Sequence, residues 1–225
     1  MVIEKVKDKV NELLKKDNTG HGMEHINRVL NLSLKFAEKE HANKDVVALI
    51  ALLHDVDDYK LFGIEDANNL TNAKNILEQC FIEDNIKEQV LNALKTIGYS
   101  KRLKGICPLT LEGMIVSDAD MCDAMGTTGI LRCYQYNLAH GNLFFDKNIY
   151  PTLNMSADEY MEKKGGTVVT HMFEKLLKLK DLMLTNSGKK EAQERHNIMI
   201  EFLYHLFKEE NVPEWMNYFD NSLNK

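Results

Sequence analysis

Apolar residues recur along this chain at intervals of three and four rather than in alternation, and that spacing predicts helices almost throughout. Over residues 2–16, Val6, Val10, Leu13 and Leu14 fall on one face. Asp17-Asn18-Thr19-Gly20 then ends that helix and caps the next. The second helix is predicted over residues 21–41, with Val29, Leu32, Phe36 and Ala37 turned to the core. A third, over residues 43–55, is apolar nearly all round and belongs at the centre. Amphipathic segments follow near residues 65–80 and 84–97. The loop 98–109, holding Gly105 and Pro108, leads to a helix that carries Asp118 and Asp120. A looser stretch, 141–157, contains Pro151, and two long closing helices are expected over 167–184 and 188–209.

Only 3 Pro and 12 Gly punctuate the 225 residues, and no run of alternating strands stands out. No internal repeat, low-complexity tract or interdomain linker appears. The expectation is one all-α domain over residues 1–225, with a central part near 20–135 and a closing helical part near 156–210. The apolar cluster Ile198-Met199-Ile200 and Phe202-Leu203 suits a core or an interface equally, so the oligomeric state stays open.

Charge and cysteine narrow the class. With 28 Lys+Arg against 34 Asp+Glu, the net charge of -6 does not favour a general grip on nucleic acid. The first ten residues alternate charge with apolar side chains and do not resemble a signal peptide, and nothing reaches membrane-spanning length. Cys80, Cys107, Cys122 and Cys133 form no CxxC pair or zinc-finger spacing. They read as reduced thiols, and a cytoplasmic location is expected.

The chemistry starts at His54-Asp55, which ends the eight-residue apolar run from Val46 to Leu53. A carboxylate carried into such surroundings must be paired, protonated or bound to a metal, because desolvating it alone is costly. The adjacent imidazole makes a divalent ion attractive. His25, and Asp120 in Ser117-Asp118-Ala119-Asp120, complete a set of two nitrogen and two oxygen donors. Mn²⁺, Fe²⁺, Mg²⁺, Co²⁺ and Ni²⁺ are all admissible; Zn²⁺ is admissible but less characteristic of an open, carboxylate-rich site.

The order His25, His54-Asp55, Asp120 resembles the HD-domain superfamily of metal-dependent phosphohydrolases, and within it a subgroup of small single-domain bacterial proteins. The resemblance rests on His21-Gly22-Met23-Glu24-His25-Ile26-Asn27-Arg28-Val29, on Leu52 to Lys60, and on Leu111 to Asp120. It continues through Asp123-Ala124-Met125-Gly126 to Arg132, then His171 to Lys180, and Arg195-His196. It implies an HD-type helical bundle with closing C-terminal helices. It further implies one divalent metal per chain, held by His25, His54, Asp55 and Asp120. No second set of histidines stands between residues 56 and 117, where binuclear members add ligands.

The activity implied is hydrolysis of a phosphoester or phosphoanhydride in a small molecule, most simply a nucleotide. The rival reading is a non-catalytic, metal- and nucleotide-binding regulatory module. Members of the superfamily often carry an acidic residue where Asp58 stands, which makes Asp58 the candidate for orienting or deprotonating water. His21, Lys60, Arg132, His171 and Lys175 are candidate substrate contacts, since phosphate needs cationic or N–H partners beyond a metal. Arg28 is expected to tie helices together through a carboxylate such as Asp118 or Glu112. Met121-Cys122 stands where many members carry Arg-Leu, and Thr127-Thr128 replaces smaller or apolar residues. Neither departure touches a ligand. The cleavage position, orthophosphate or pyrophosphate, is open.

Overall fold

The computed structural model describes residues 2–15, 22–163 and 165–223, with the side chains of 60, 157, 161, 162 and 223 left aside. No strand occurs among the described residues. In chain order the α-helices are α1 (Val2–Leu14), α2 (Met23–Glu40), α3 (Lys44–Leu53), α4 (Tyr59–Phe62), α5 (Ile64–Asn69), α6 (Thr71–Gln79) and α7 (Asp84–Leu94). They continue as α8 (Tyr99–Leu103), α9 (Leu111–Asp123), α10 (Gly126–Ala139), α11 (Ala157–Glu162), α12 (Val168–Glu174), α13 (Asn186–Glu209) and α14 (Pro213–Leu223). A 3₁₀ helix, Leu176–Leu182, follows α12. The chain divides into two compact units, residues 1–123 with 182–189, and residues 124–181 with 190–225.

In the first unit α3 is the axis. Residues 46–53 are all buried, against α1, α2, α7 and α9. Its start is fixed by Asn43, whose side-chain oxygen accepts from the N–H groups of Asp45 (3.1 Å) and Val46 (3.3 Å). Its end comes at Leu53, earlier than the hydrophobic pattern predicts. The cause is Asp57: its carboxylate accepts from the N–H groups of Asn72 (2.8 Å) and Ala73 (2.9 Å) at the start of α6. The Asn72 amide in return donates to the Val56 carbonyl at 2.9 Å. The chain therefore leaves the helix in a turn over residues 54–57 rather than continuing it.

Other boundaries shift for equally local reasons. The predicted helix over 65–80 is two, α5 and α6, divided at Leu70 in left-handed conformation (φ 52°). The loop before α9 contains the short α8, and the segment expected as one helix over 167–184 is α12 followed by a 3₁₀ stretch. On α2, Ile26, Val29, Leu30, Leu32, Ser33, Phe36 and Ala37 are buried, in line with the predicted face.

The segment 182–189 belongs to the first unit because side chains there hold it. Asp118 of α9, fully buried, accepts from Leu184 N–H (3.0 Å), Thr185 N–H (2.8 Å) and Thr185 Oγ1 (2.8 Å). Arg102 donates to the Leu182 carbonyl (2.7 Å), and Ser187 N–H donates to Glu40 (2.7 Å). Gly188 is required: a Cβ there would stand 2.2 Å from Asp118 Oδ2.

The second unit is organised on an aromatic cluster of Phe145, Tyr150, Phe173, Phe207, Trp215, Tyr218 and Phe219. Tyr150 stacks on Trp215 at 4.6 Å, and the Trp215 indole N–H donates to the Lys147 carbonyl at 3.0 Å. Within the apolar cluster of α13, Met199 and Leu203 are fully buried and Ile198 is exposed. The closing α14 was not anticipated, although Pro213 at its first position and Trp215 with Phe219 one turn apart mark it.

Candidate metal centre and its surroundings

Three helices of the first unit bring together what the sequence separates by almost a hundred residues. His25 comes from the first turn of α2, His54 and Asp55 from the turn closing α3, and Asp120 from the last turn of α9. His25 Nε2 lies 3.0 Å from His54 Nε2, 3.3 Å from Asp55 Oδ2 and 3.5 Å from Asp120 Oδ1. His54 Nε2 lies 3.5 Å from Asp55 Oδ2 and 3.7 Å from Asp120 Oδ1. The ring atoms are buried, whereas the Asp120 side chain is 27% exposed and forms the open side of the cluster.

The two imidazoles are oriented from behind. His25 Nδ1 meets Asp123 Oδ2 at 2.7 Å, and His54 Nδ1 meets the Ala51 carbonyl at 2.8 Å. Both partners are acceptors, so each Nδ1 donates to the group behind it and each Nε2 is turned toward the cluster. Two ring nitrogens at 3.0 Å, flanked by two carboxylates, form a site that favours a positive charge among them. Bonds of about 2.1 Å to one ion give ligand–ligand edges of roughly 3.0 Å in an octahedron and 3.4 Å in a tetrahedron. The observed separations fall in and just above that range. His25, His54 and Asp120 offer three donor atoms within 4.8 Å of one another, a grouping that suits a divalent ion, and Asp55 Oδ2 stands beside both rings.

Arg28 does not reach Asp118 or Glu112 as expected. Its Nε donates to Asp123 Oδ1 (2.7 Å) and its Nη2 to Asp123 Oδ2 (3.1 Å), which raises the guanidinium pKa. Asp118 is committed to the 182–189 segment, and Glu112 accepts from Asn43 N–H at 3.1 Å. Asp123 is the residue that sequence reasoning missed. The available signal was its spacing, three residues after Asp120 and so on the same face of α9.

Asp57 and Asp58 differ in what holds them. Asp57 turns to the start of α6; burial pushes its carboxyl pKa up despite those N–H groups. Asp58 is half-buried, its N–H donating to the Asp55 carbonyl (3.2 Å) and its own carbonyl accepting from Leu61 and Phe62 (3.0 Å each). His21 lies outside the described residues, as does the side chain of Lys60. Arg132, on α10, and His171 with Lys175, on and just after α12, belong to the second unit, where those two helices pack together. The Lys175 charge acts on Cys133, the neighbour of Arg132; burial nevertheless pushes that thiol up to about 11.

The HD domain family matches residues 22–125, the span that carries all four donors. An HD-superfamily hydrolase from Bacillus thuringiensis has a similar structure, 33% identical, covering 93% of this chain and 97% of its own, with a TM-score of 0.72. The chain belongs to the HD superfamily. This HD protein is also similar to a Lactobacillus plantarum protein of known structure (30% identity, TM-score 0.80, 93% and 96% covered). The YpgQ protein of Bacillus subtilis is 31% identical over 93% of both chains. YpgQ has been solved in complex with ADP; that structure gives a TM-score of 0.70 at 28% identity, covering 92% of this chain and 94% of its own. Hydrolase chemistry and a divalent metal are properties of the superfamily into which this HD protein falls. No helix among the described residues is long and apolar enough to cross a membrane.

Proposed function

We propose that this HD protein is a metal-dependent phosphohydrolase whose substrate is a nucleotide, with the ion held by His25, His54, Asp55 and Asp120. The observation carrying the proposal is the convergence of His25 Nε2, His54 Nε2 and an Asp120 oxygen within 4.8 Å of one another, with Asp55 Oδ2 3.3 and 3.5 Å from the two ring nitrogens. A divalent ion there would lower the pKa of water and neutralise charge on phosphoryl oxygens. The nucleotide class is supported by the ADP held by the similar YpgQ.

The chain's own groups divide the remaining work. Asp58, tied through its N–H to the residue after His54, orients the attacking water and accepts its proton. His21, Lys60, Arg132, His171 and Lys175 are the candidate contacts for phosphate and the rest of the substrate, each to be tested by its own substitution. Arg132 is the phosphate ligand favoured among them, because a guanidinium fork matches two phosphoryl oxygens at once.

The test crosses Mn²⁺, Mg²⁺, Co²⁺, Ni²⁺, Fe²⁺ and Zn²⁺ with nucleoside mono-, di- and triphosphates and assays orthophosphate and pyrophosphate separately. Metal-dependent release of either product is expected, and the product fixes the cleavage position. Stoichiometric metal and nucleotide binding without release would make the protein a binding module instead.

A further inference from the structure

We propose that Asp123 is a positioning residue for the metal centre, acting through His25, and that Arg28 supplies the counter-charge that holds it there. The inference rests on the metal-centre reading above and deepens it. Asp123 is 2% exposed at the end of α9, and a carboxylate so buried requires compensation. Arg28 provides it in a two-pronged pair, at 2.7 and 3.1 Å. That pair alone would join α2 to α9 without involving the ring. Asp123 Oδ2 also accepts from His25 Nδ1 at 2.7 Å, and the ring is thereby aimed, with Nε2 toward His54, Asp55 and Asp120.

The two histidines are therefore supported unequally. His54 donates to a neutral main-chain carbonyl, that of Ala51, whereas His25 donates to a full negative charge. Helix geometry links the layers. His25 and Arg28 are three apart on α2, as Asp120 and Asp123 are on α9, so on each helix the ligand stands one turn from the group that pairs with the other helix. Seating one face of α2 on one face of α9 sets both layers at once.

The test measures Mn²⁺ dissociation constants by calorimetry on metal-stripped, full-length wild-type protein and Asp123→Asn, with unfolding midpoints taken in the absence of metal. The variant keeps the shape but removes the charge, and the expected loss of affinity is about 10- to 100-fold. A folded Asp123→Asn protein that binds Mn²⁺ as tightly as the wild type would overturn the proposal. A wild type that binds no stoichiometric Mn²⁺ would overturn the metal-centre reading itself, and this inference with it. A second measurement needs no variant: long-range proton–nitrogen spectra of the Mg²⁺-loaded wild type locate the His25 proton. It is expected on Nδ1; a proton on Nε2 would overturn the proposal.

Discussion

His25 and His54 face each other through their Nε2 atoms at 3.0 Å, each ring fixed from behind by an acceptor on Nδ1. Such a pair is a poor arrangement without a cation, so ion binding should stabilise the fold. With free Mn²⁺ at a hundred times its dissociation constant, linkage gives about 2.7 kcal/mol of added stability. Thermal scans should show the midpoint rising by several degrees in the wild type. In His54→Gln the rise should vanish. An equal rise in both proteins would place the ion elsewhere.

The neighbouring acids Asp57 and Asp58 should respond to substitution in opposite ways. Asp57→Ala removes the acceptor for two N–H groups at the start of α6 and should cost about 1–2 kcal/mol in denaturant unfolding. Asp58→Asn should leave unfolding and metal content nearly unchanged and lower kcat by about 10²–10⁴-fold. Turnover equal to wild type in Asp58→Asn would remove Asp58 from the mechanism.

Much of this was legible in the sequence because burial and helix period are local signals. The apolar run before His54 marked a central helix, and His54-Asp55 at its end marked a place where His25 and Asp120 also meet. The α2 core face followed from the same spacing. What was not legible depends on partners distant in sequence. Asp57 ends α3 by reaching 15 residues ahead to Asn72, and nothing in the dipeptide Asp57-Asp58 says which acid turns away. Arg28 chose Asp123, 95 residues on, over the equally acidic Asp118 and Glu112. Leu70, in a left-handed conformation that apolar residues seldom adopt, divides a segment whose periodicity is continuous.

Asp118 and Gly188 form one clamp and should fail together. Asp118→Ala strands the N–H groups of Leu184 and Thr185 in a buried place and should cost roughly 2–4 kcal/mol. Gly188→Ala forces a methyl onto the same carboxylate and should cost about 1–3 kcal/mol. Because the two share a partner, the double variant should lose less than the sum. Strict additivity in equilibrium unfolding would show that the clamp is not a unit.

Acid sensitivity in the second unit should trace to His196. Its ring is buried on α13, and its Nδ1 has no hydrogen-bond partner among the described residues. Burial, reinforced by Lys180, lowers its pKa below the ordinary 6.5. The unfolded chain therefore takes up a proton at a pH where the folded chain does not. The stability this protects is fully present above about pH 6.5 and declines as pH falls below it, until the folded ring also protonates. In His196→Met the fall in unfolding free energy between pH 7 and pH 5 should be smaller than in the wild type. Parallel pH profiles for the two proteins would contradict this assignment.

The most direct test is anomalous diffraction from crystals of the full chain grown with excess Mn²⁺. One manganese peak per chain is expected, within bonding distance of His25 Nε2, His54 Nε2, Asp55 and Asp120. A well-ordered cluster without a peak, or with manganese bound only elsewhere, would contradict the account.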